Sequence, residues 1–189
     1  MIRFFSSSII PIFRKEGLIL YYFFITFVIL IDQLSKYWIR THIKVGNSIE
    51  VWKGVLNLSH IENSGAAFSS FQGYGRYFVP IAFLMAIILI KYRNDVNNRR
   101  FLVDLGTGLI IGGGIGNAID RILYSQVTDF ISFHSNHGIL NFADYFIHYG
   151  MIILLIDLII SHLLNRRAHK KLRGLSFIGL PAFSLFSFI

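Results

Sequence analysis

Between Gly112 and Phe130 the chain reads GGGIGNAIDRILYSQVTDF, which sets Asn117, Asp120, Arg121 and Asp129 beside one of its most apolar stretches. A third acid, Asp144, follows in NFADYF. Ionised groups at membrane depth are costly and mark function by default. Asp129 and Asp144 have no lysine or arginine within several residues, so nothing local neutralises them. Two carboxylates held close together do not both ionise easily and keep one proton between them. The anionic member can take a proton from water while the neutral one donates to a scissile carbonyl, which is the chemistry of metal-free hydrolysis. Ser35, Ser64 and Ser132 are the competing nucleophiles, but neither G-x-S-x-G nor S-x-x-K occurs. His134 and His137 flank Asp129 as the competing metal ligands, yet H-x-x-H is weak spacing and H-E-x-x-H is missing. The reading is therefore an acid pair with no metal and no cofactor.

The elements that position these groups follow from composition. A hydrophobic share of 54%, with 19 Phe and 9 Tyr in 189 residues, exceeds soluble usage. Four windows suit the roughly 17 to 25 residues that a spanning helix needs: 18–39, 77–92, 101–123 and 145–164. Arg3, Arg14 and Lys15 precede the first span, Lys91, Arg93, Arg99 and Arg100 fill the second loop, and Arg166, Arg167, Lys170, Lys171 and Arg173 follow the fourth span. The long first loop, 40–76, holds only Arg40, Lys44, Lys53 and Arg76, and the third loop, from Tyr124 to Ala143, holds no lysine or arginine. The positive-inside rule then makes both termini cytoplasmic and turns the first and third loops outward. The net charge of +8 is explained by topology and anionic lipid rather than by nucleic acid. The chain has no cysteine, which removes disulfides, thiol nucleophiles and cysteine metal sites. The first span lacks a small-residue cleavage site and reads as a retained anchor.

The expected fold is an all-α membrane protein: four transmembrane helices and a small β-rich extracytoplasmic loop domain, in a single domain over residues 1–189. The strands are expected within IEVWKGVLNLSHIENSGAAFSSF of the first outer loop, where apolar and polar residues alternate. The tail from Gly174 to Ile189 is interrupted by Gly179 and Pro181 and is expected to lie at the cytoplasmic interface. On this topology DQLSK (Asp32 to Lys36), ENSGAAF (Glu62 to Phe68), GNAIDR, VTDF and NFAD converge at one level of the outer face. Gly108, Gly112 and Gly116 form the small-residue stripe of close helix packing. Asp32 and Lys36, one turn apart, can neutralise each other, and Asn117, Asp120 and Arg121 can form a clamp at a helix end. Asp157 lies deeper and receives no functional assignment.

In order, DQLSK, NSGAAF, GGGIGNAIDR, VTDF and NFAD resemble the five signature blocks of lipoprotein signal peptidase, signal peptidase II. The resemblance runs from the first span through the fourth and omits the termini. It implies a four-helix aspartic peptidase of the bacterial inner membrane that cleaves diacylglyceryl-modified prolipoproteins just before the lipidated cysteine. It places the catalytic pair on Asp129 and Asp144, and supporting roles on Asp32, Lys36, Asn63, Gly65, Asn117, Asp120, Arg121 and Asn141. Its partners would be the prolipoprotein and membrane lipid, with no nucleic acid, and the enzyme would act as a monomer. Departures from the family pattern are Leu140 where Phe is frequent, a short loop between the two acids, and the apolar tail. A small transporter that binds ions at the outer acids is the alternative. It requires polar residues through the whole span, and the sequence offers only Asp104, Asp157 and His162.

Overall fold

The computed structural model of the chain describes residues 10–65, 70–95, 101–133 and 138–177. Its elements in order are α1 (Ile10–His42), β1 (Ser48–Trp52), β2 (Leu56–Asn63), a 3₁₀ turn (Gly75–Tyr77), α2 (Phe78–Asn94), α3 (Phe101–Tyr124), β3 (Val127–Phe133), β4 (Ile139–Leu140) and α4 (Phe142–Phe177). Four helical segments, Gly17–His42, Gly75–Asn94, Phe101–Tyr124 and Phe142–Leu164, are long and apolar enough to cross a membrane. The first, second and fourth bury 11 to 17% of their apolar window, but the Phe101–Tyr124 segment buries 67%. α3 is thus the central helix, and the others lay Ile19, Phe23, Leu34, Leu84, Leu158 and similar side chains outward, as lipid-facing surfaces require.

Glycines make that centre possible. A Cβ on Gly112 would lie 2.8 Å from the Val28 side chain on α1, and one on Gly113 would lie 2.5 Å from the Ala143 carbonyl on α4. Without a hydrophobic driving force between helices in lipid, such close backbone approach contributes packing energy. The expected packing role therefore holds for Gly108, which meets Phe24 and Tyr21, and for Gly112. Gly116 differs, because the space beside it is taken by the Asp32 carboxylate, 2.6 Å from where a Cβ would stand.

Two expectations change at the helix ends. α4 begins three residues before the predicted Tyr145, which brings Asp144 into its first turn. Arg93, expected as a free basic flank, is 6% exposed on α2 and pairs with Asp104 of α3 at 2.7 Å. Its guanidinium lies 4.3 Å from the centre of the Tyr21 ring and so ties α1, α2 and α3 together. Asp157 is buried on α4. α4 continues to Phe177, so the first residues of the expected interfacial tail are helical, and 178–189 lie outside the described residues.

The sheet is larger than expected. Four antiparallel strands run in the order β1-β2-β3-β4, two from the α1–α2 loop and two from the α3–α4 loop. VTDF is therefore strand, not loop. Val127 to Ile131 are all buried, so the strand lacks the alternation that marks a half-exposed one. Its Phe130 and Ile131 pack with Ile39 and Ile43 at the end of α1, which fastens the sheet to the bundle. Between Leu58 and Ile61 the register of β2 against β3 slips by one residue, and beyond the slip Ile61 pairs with Asp129 and Asn63 with Val127. Such a bulge re-aims side chains. Here Asn63 and Asp129 become diagonal neighbours on one face of the sheet.

Candidate active site

The first turn of α4 builds half of the site. Asn141 is its cap, and its side-chain carbonyl accepts from the Asp144 backbone N–H at 3.1 Å while the Asp144 carboxylate accepts from the Asn141 backbone N–H at 3.2 Å. This reciprocal capping box satisfies two of the N–H groups that a helix start leaves open. A third, that of Ala143, donates to Asp32 on α1 at 3.0 Å. The spare amide of Asn141 reaches across to Asp129 on β3 at 2.6 Å. One asparagine therefore touches both predicted catalytic acids.

Each acid has one further amide donor: Asn63 to Asp129 at 3.0 Å and Asn117 to Asp144 at 2.9 Å. Among the described residues no lysine or arginine lies in ion-pair range of either acid. Asp129 is 4% exposed, and burial, followed by the nearby Asp144 charge, pushes its carboxyl up to about 7, with the Asn63 and Asn141 amides pulling the other way. At neutral pH Asp129 is thus divided between acid and carboxylate, the state that proton donation and uptake both need.

One turn along α1 the acids are paired differently. Lys36 is wholly buried and binds Asp32 at 2.8 Å and Asp120 at 3.1 Å. Its third contact, 2.9 Å to the Asn117 side-chain carbonyl, orients the amide that Asn117 presents to Asp144. Asp120 also accepts from Gln33 at 3.1 Å, Arg40 at 3.4 Å and the Thr128 backbone at 3.3 Å. Of the clamp expected among Asn117, Asp120 and Arg121, the contact present is Arg121 to the Asn117 backbone carbonyl at 3.4 Å; the fixed partners of Asp120 come from α1 and β3. Consecutive residues on a helix project in different directions, so adjacency in sequence misnamed them.

Arg121 turns instead toward the β2 end. It donates to the Gly65 carbonyl at 3.0 Å and lies 5.4 Å from the centre of the Phe78 ring, and Asp144 and Asp129 are the acids whose charges act on it most. Gly65 donates its backbone N–H to the Asn63 side chain at 3.0 Å. A Cβ at Gly65 would collide with the Ser70 carbonyl, so only glycine allows this turn. Ala66 to Phe68, like His134 and His137, lie outside the described residues.

All ten predicted residues thus fall into one connected cluster. Gln33, Arg40, Thr128 and Gln72 join it unpredicted: Arg40 donates to Thr128 at 3.0 Å and Gln72 to Asn63 at 3.4 Å. A helical projection of α1 would have found Arg40, one turn beyond Lys36. Of the candidate nucleophiles, Ser35 donates to the Asp32 carbonyl of its own helix and Ser64 to Gln72, while Ser132 lies on β3. Among the described residues no group of three His, Cys, Asp or Glu could hold a metal.

Known proteins are similar to this chain in sequence and fold. A family model described as signal peptidase (SPase) II matches residues 24–160. The lipoprotein signal peptidase of Bartonella tribocorum is 38% identical over 132 residues, which cover 67% of this chain and 78% of that one. The lipoprotein signal peptidase of Coxiella burnetii is 36% identical over 146 residues, covering 73% of this chain and 88% of that one. A solved bacterial membrane enzyme superposes with a TM-score of 0.71 at 30% identity, over 75% of this chain and 88% of its own. With the family match running from within α1 to within α4 and enclosing both acid pairs, the chain belongs to the signal peptidase II family.

Proposed function

We propose that this peptidase is an aspartic endopeptidase of a bacterial inner membrane that removes the signal peptide from diacylglyceryl-modified prolipoproteins, cutting just before the lipidated cysteine. Asp129 and Asp144 are its catalytic pair. The observation that carries the reading is the shared Asn141, which holds the two acids with amides alone. Asp144 accepts from two N–H groups and takes a proton from the attacking water. Asp129, titrating at about 7, donates to the carbonyl oxygen of the scissile bond. Collapse of the tetrahedral intermediate then returns a hydroxyl proton to Asp129 and releases the amine with the proton that Asp144 took up. Asn63, Asn117 and Asn141 hold the pair, Lys36 orients Asn117, and Asp32 and Asp120 balance Lys36.

The chain acts as a single membrane-embedded domain and a monomer, with both termini cytoplasmic and the sheet and acids at the extracytoplasmic face. The basic residues on the loops opposite the sheet support this orientation. It suits the substrate: a signal peptide is an apolar helix in the bilayer, its cleavage point emerges at the outer interface, and its acyl chains stay in lipid. The transporter reading is weaker, because α3 between Thr107 and Asn117 carries only Gly, Leu and Ile. Incubating purified protein with a lipidated precursor and its unlipidated form tests the proposal. Cleavage of the lipidated form alone is expected, and equal cleavage of both would remove the lipid from the specificity.

A further inference from the structure

The slip in β2 decides which face of the sheet Asn63 occupies. Before it Leu58 pairs with Ile131, and after it Ile61 pairs with Asp129. Without the extra residue His60 would stand opposite Asp129 and Asn63 would turn to the other face, because a shift of one residue flips every side chain beyond it. Ser59 and His60 are both buried although they are consecutive on the strand, which marks them as the bulge.

His60 is held at three points by the link between α1 and β1. Its backbone N–H donates to the Asn47 carbonyl at 2.9 Å, and its carbonyl accepts from the Gly46 N–H at 2.8 Å. Its ring Nδ1 lies 2.6 Å from the carbonyl of Ile43, the residue that follows α1. A carbonyl only accepts, so Nδ1 carries the proton. The other ring nitrogen, Nε2, is buried with no hydrogen-bond partner among the described residues, and the Glu62 carboxylate lies 4.0 Å from it. The hydrogen bond that the ring makes therefore runs to the end of α1, the helix that also carries Lys36 and Arg40. Any residue could supply the two backbone bonds, but the ring bond needs a side-chain donor at the Nδ1 position.

We infer that His60 is a positioning residue for the acid pair: its ring pins the bulge of β2 to the end of α1 and thereby aims the Asn63 amide at Asp129. A polar ring in a buried bulge is costly unless it is bonded. The bond to Ile43 offsets that cost, and what it secures at the site is the 3.0 Å contact from Asn63 to Asp129. The inference rests on the reading of Asp129 as a catalytic acid.

The decline of kcat/KM for a lipidated precursor as pH rises through about 7 reads this contact, because the Asn63 amide holds the Asp129 value down. The groups that act on Asp129 are Asn63 of β2, Asn141 and Asp144 at the start of α4, and the charges of Lys36 on α1 and Arg121 on α3. His60→Leu should move the decline upward by roughly half a unit to one unit, the size expected for one lost hydrogen bond. Asn63→Ala should do the same, and the double variant should move no further than Asn63→Ala alone. His60→Asn should keep the native profile, since its amide nitrogen stands where Nδ1 stood and it has no ring to titrate. His60→Gln, whose amide stands at the Nε2 position, should behave as His60→Leu and takes its place if the leucine variant does not fold. A native profile in His60→Leu or His60→Gln, with Asn63→Ala displaced, would overturn the inference alone. A displaced profile in His60→Asn would assign the effect to packing of the ring and overturn it as well. A native profile in Asn63→Ala would overturn it together with the assignment of Asp129.

Discussion

Two pairs of aspartates lie within one cluster, and their bridges differ. Asp32 and Asp120 share the Lys36 ammonium, whereas the Asp129 and Asp144 carboxylates accept from the side-chain and backbone N–H groups of Asn141. A buried ammonium between two carboxylates attracts both and holds them in place. A neutral amide orients carboxylates but leaves their repulsion in place, so the pair lowers its energy by keeping a proton. On the proposed mechanism the same residue type serves structure in one pair and chemistry in the other. The bridging side chain decides between them.

Replacing either member of the amide-bridged pair tests that contrast most severely. Asp129→Asn and Asp144→Asn should each cut kcat for precursor cleavage by at least the roughly 10²- to 10⁴-fold typical of acid–base catalysis, in protein that still folds and inserts. Asp120→Asn should keep most of its activity once folded. If instead Asp120→Asn were folded yet inactive while Asp129→Asn still cleaved, the functions of the two pairs would be exchanged.

Breaking the cation bridge comes next. Lys36→Met leaves Asp32 and Asp120 buried without their ammonium, a change that typically costs about 3–5 kcal/mol. The melting midpoint in detergent should fall sharply. Activity of the surviving folded fraction should fall less than in the Asp144 variant, because Lys36 acts on Asp144 only through Asn117.

A smaller effect lies in pH dependence. Loss of the shared proton should make kcat/KM decline as pH rises through about 7. The Asn63 amide holds the Asp129 value down, so Asn63→Ala should move this decline to higher pH. Stability has the matching sign. Because the folded value lies above the ordinary 3.8, the folded protein binds more protons than the unfolded chain between these values. The stability this group contributes is complete below 3.8 and lost as pH rises through about 7. Asp129→Asn should therefore melt higher than the native protein at pH 8, and an equal or lower midpoint would count against the buried, proton-sharing pair.

The smallest expected effect is none. The carboxylate oxygens of Asp129 already accept from two amides, and N–H donors aimed at a carboxylate do not suit a cation beside it. Adding a chelator should leave the cleavage rate unchanged, and activity lost to chelator and restored by zinc would replace the acid pair with a metal mechanism.

Much of this was legible in the chain because it depends on local periodicity and residue type. Apolar length located four helices, since a bilayer admits only segments that satisfy their own backbone. The absence of cations near Asp129 and Asp144 in sequence singled out the two acids that meet at Asn141, and Asp32 with Lys36 was visible because one helical turn aligns them. What escaped depends on contacts between distant segments. Val127 to Ile131 did not show as a strand, because burial on both faces erases the alternation that marks one. The partners of Asp120 lie on α1 and β3, so its neighbour Arg121 was a false guide, and Arg93 resembled a loop charge until Asp104 was seen beside it. Sequence by itself determined the membrane helices and the inventory of acids. Only the tertiary structure decided which acids share a lysine and which an asparagine, because that assignment is made where α1, α3, β3 and the cap of α4 meet, and no local pattern encodes the meeting.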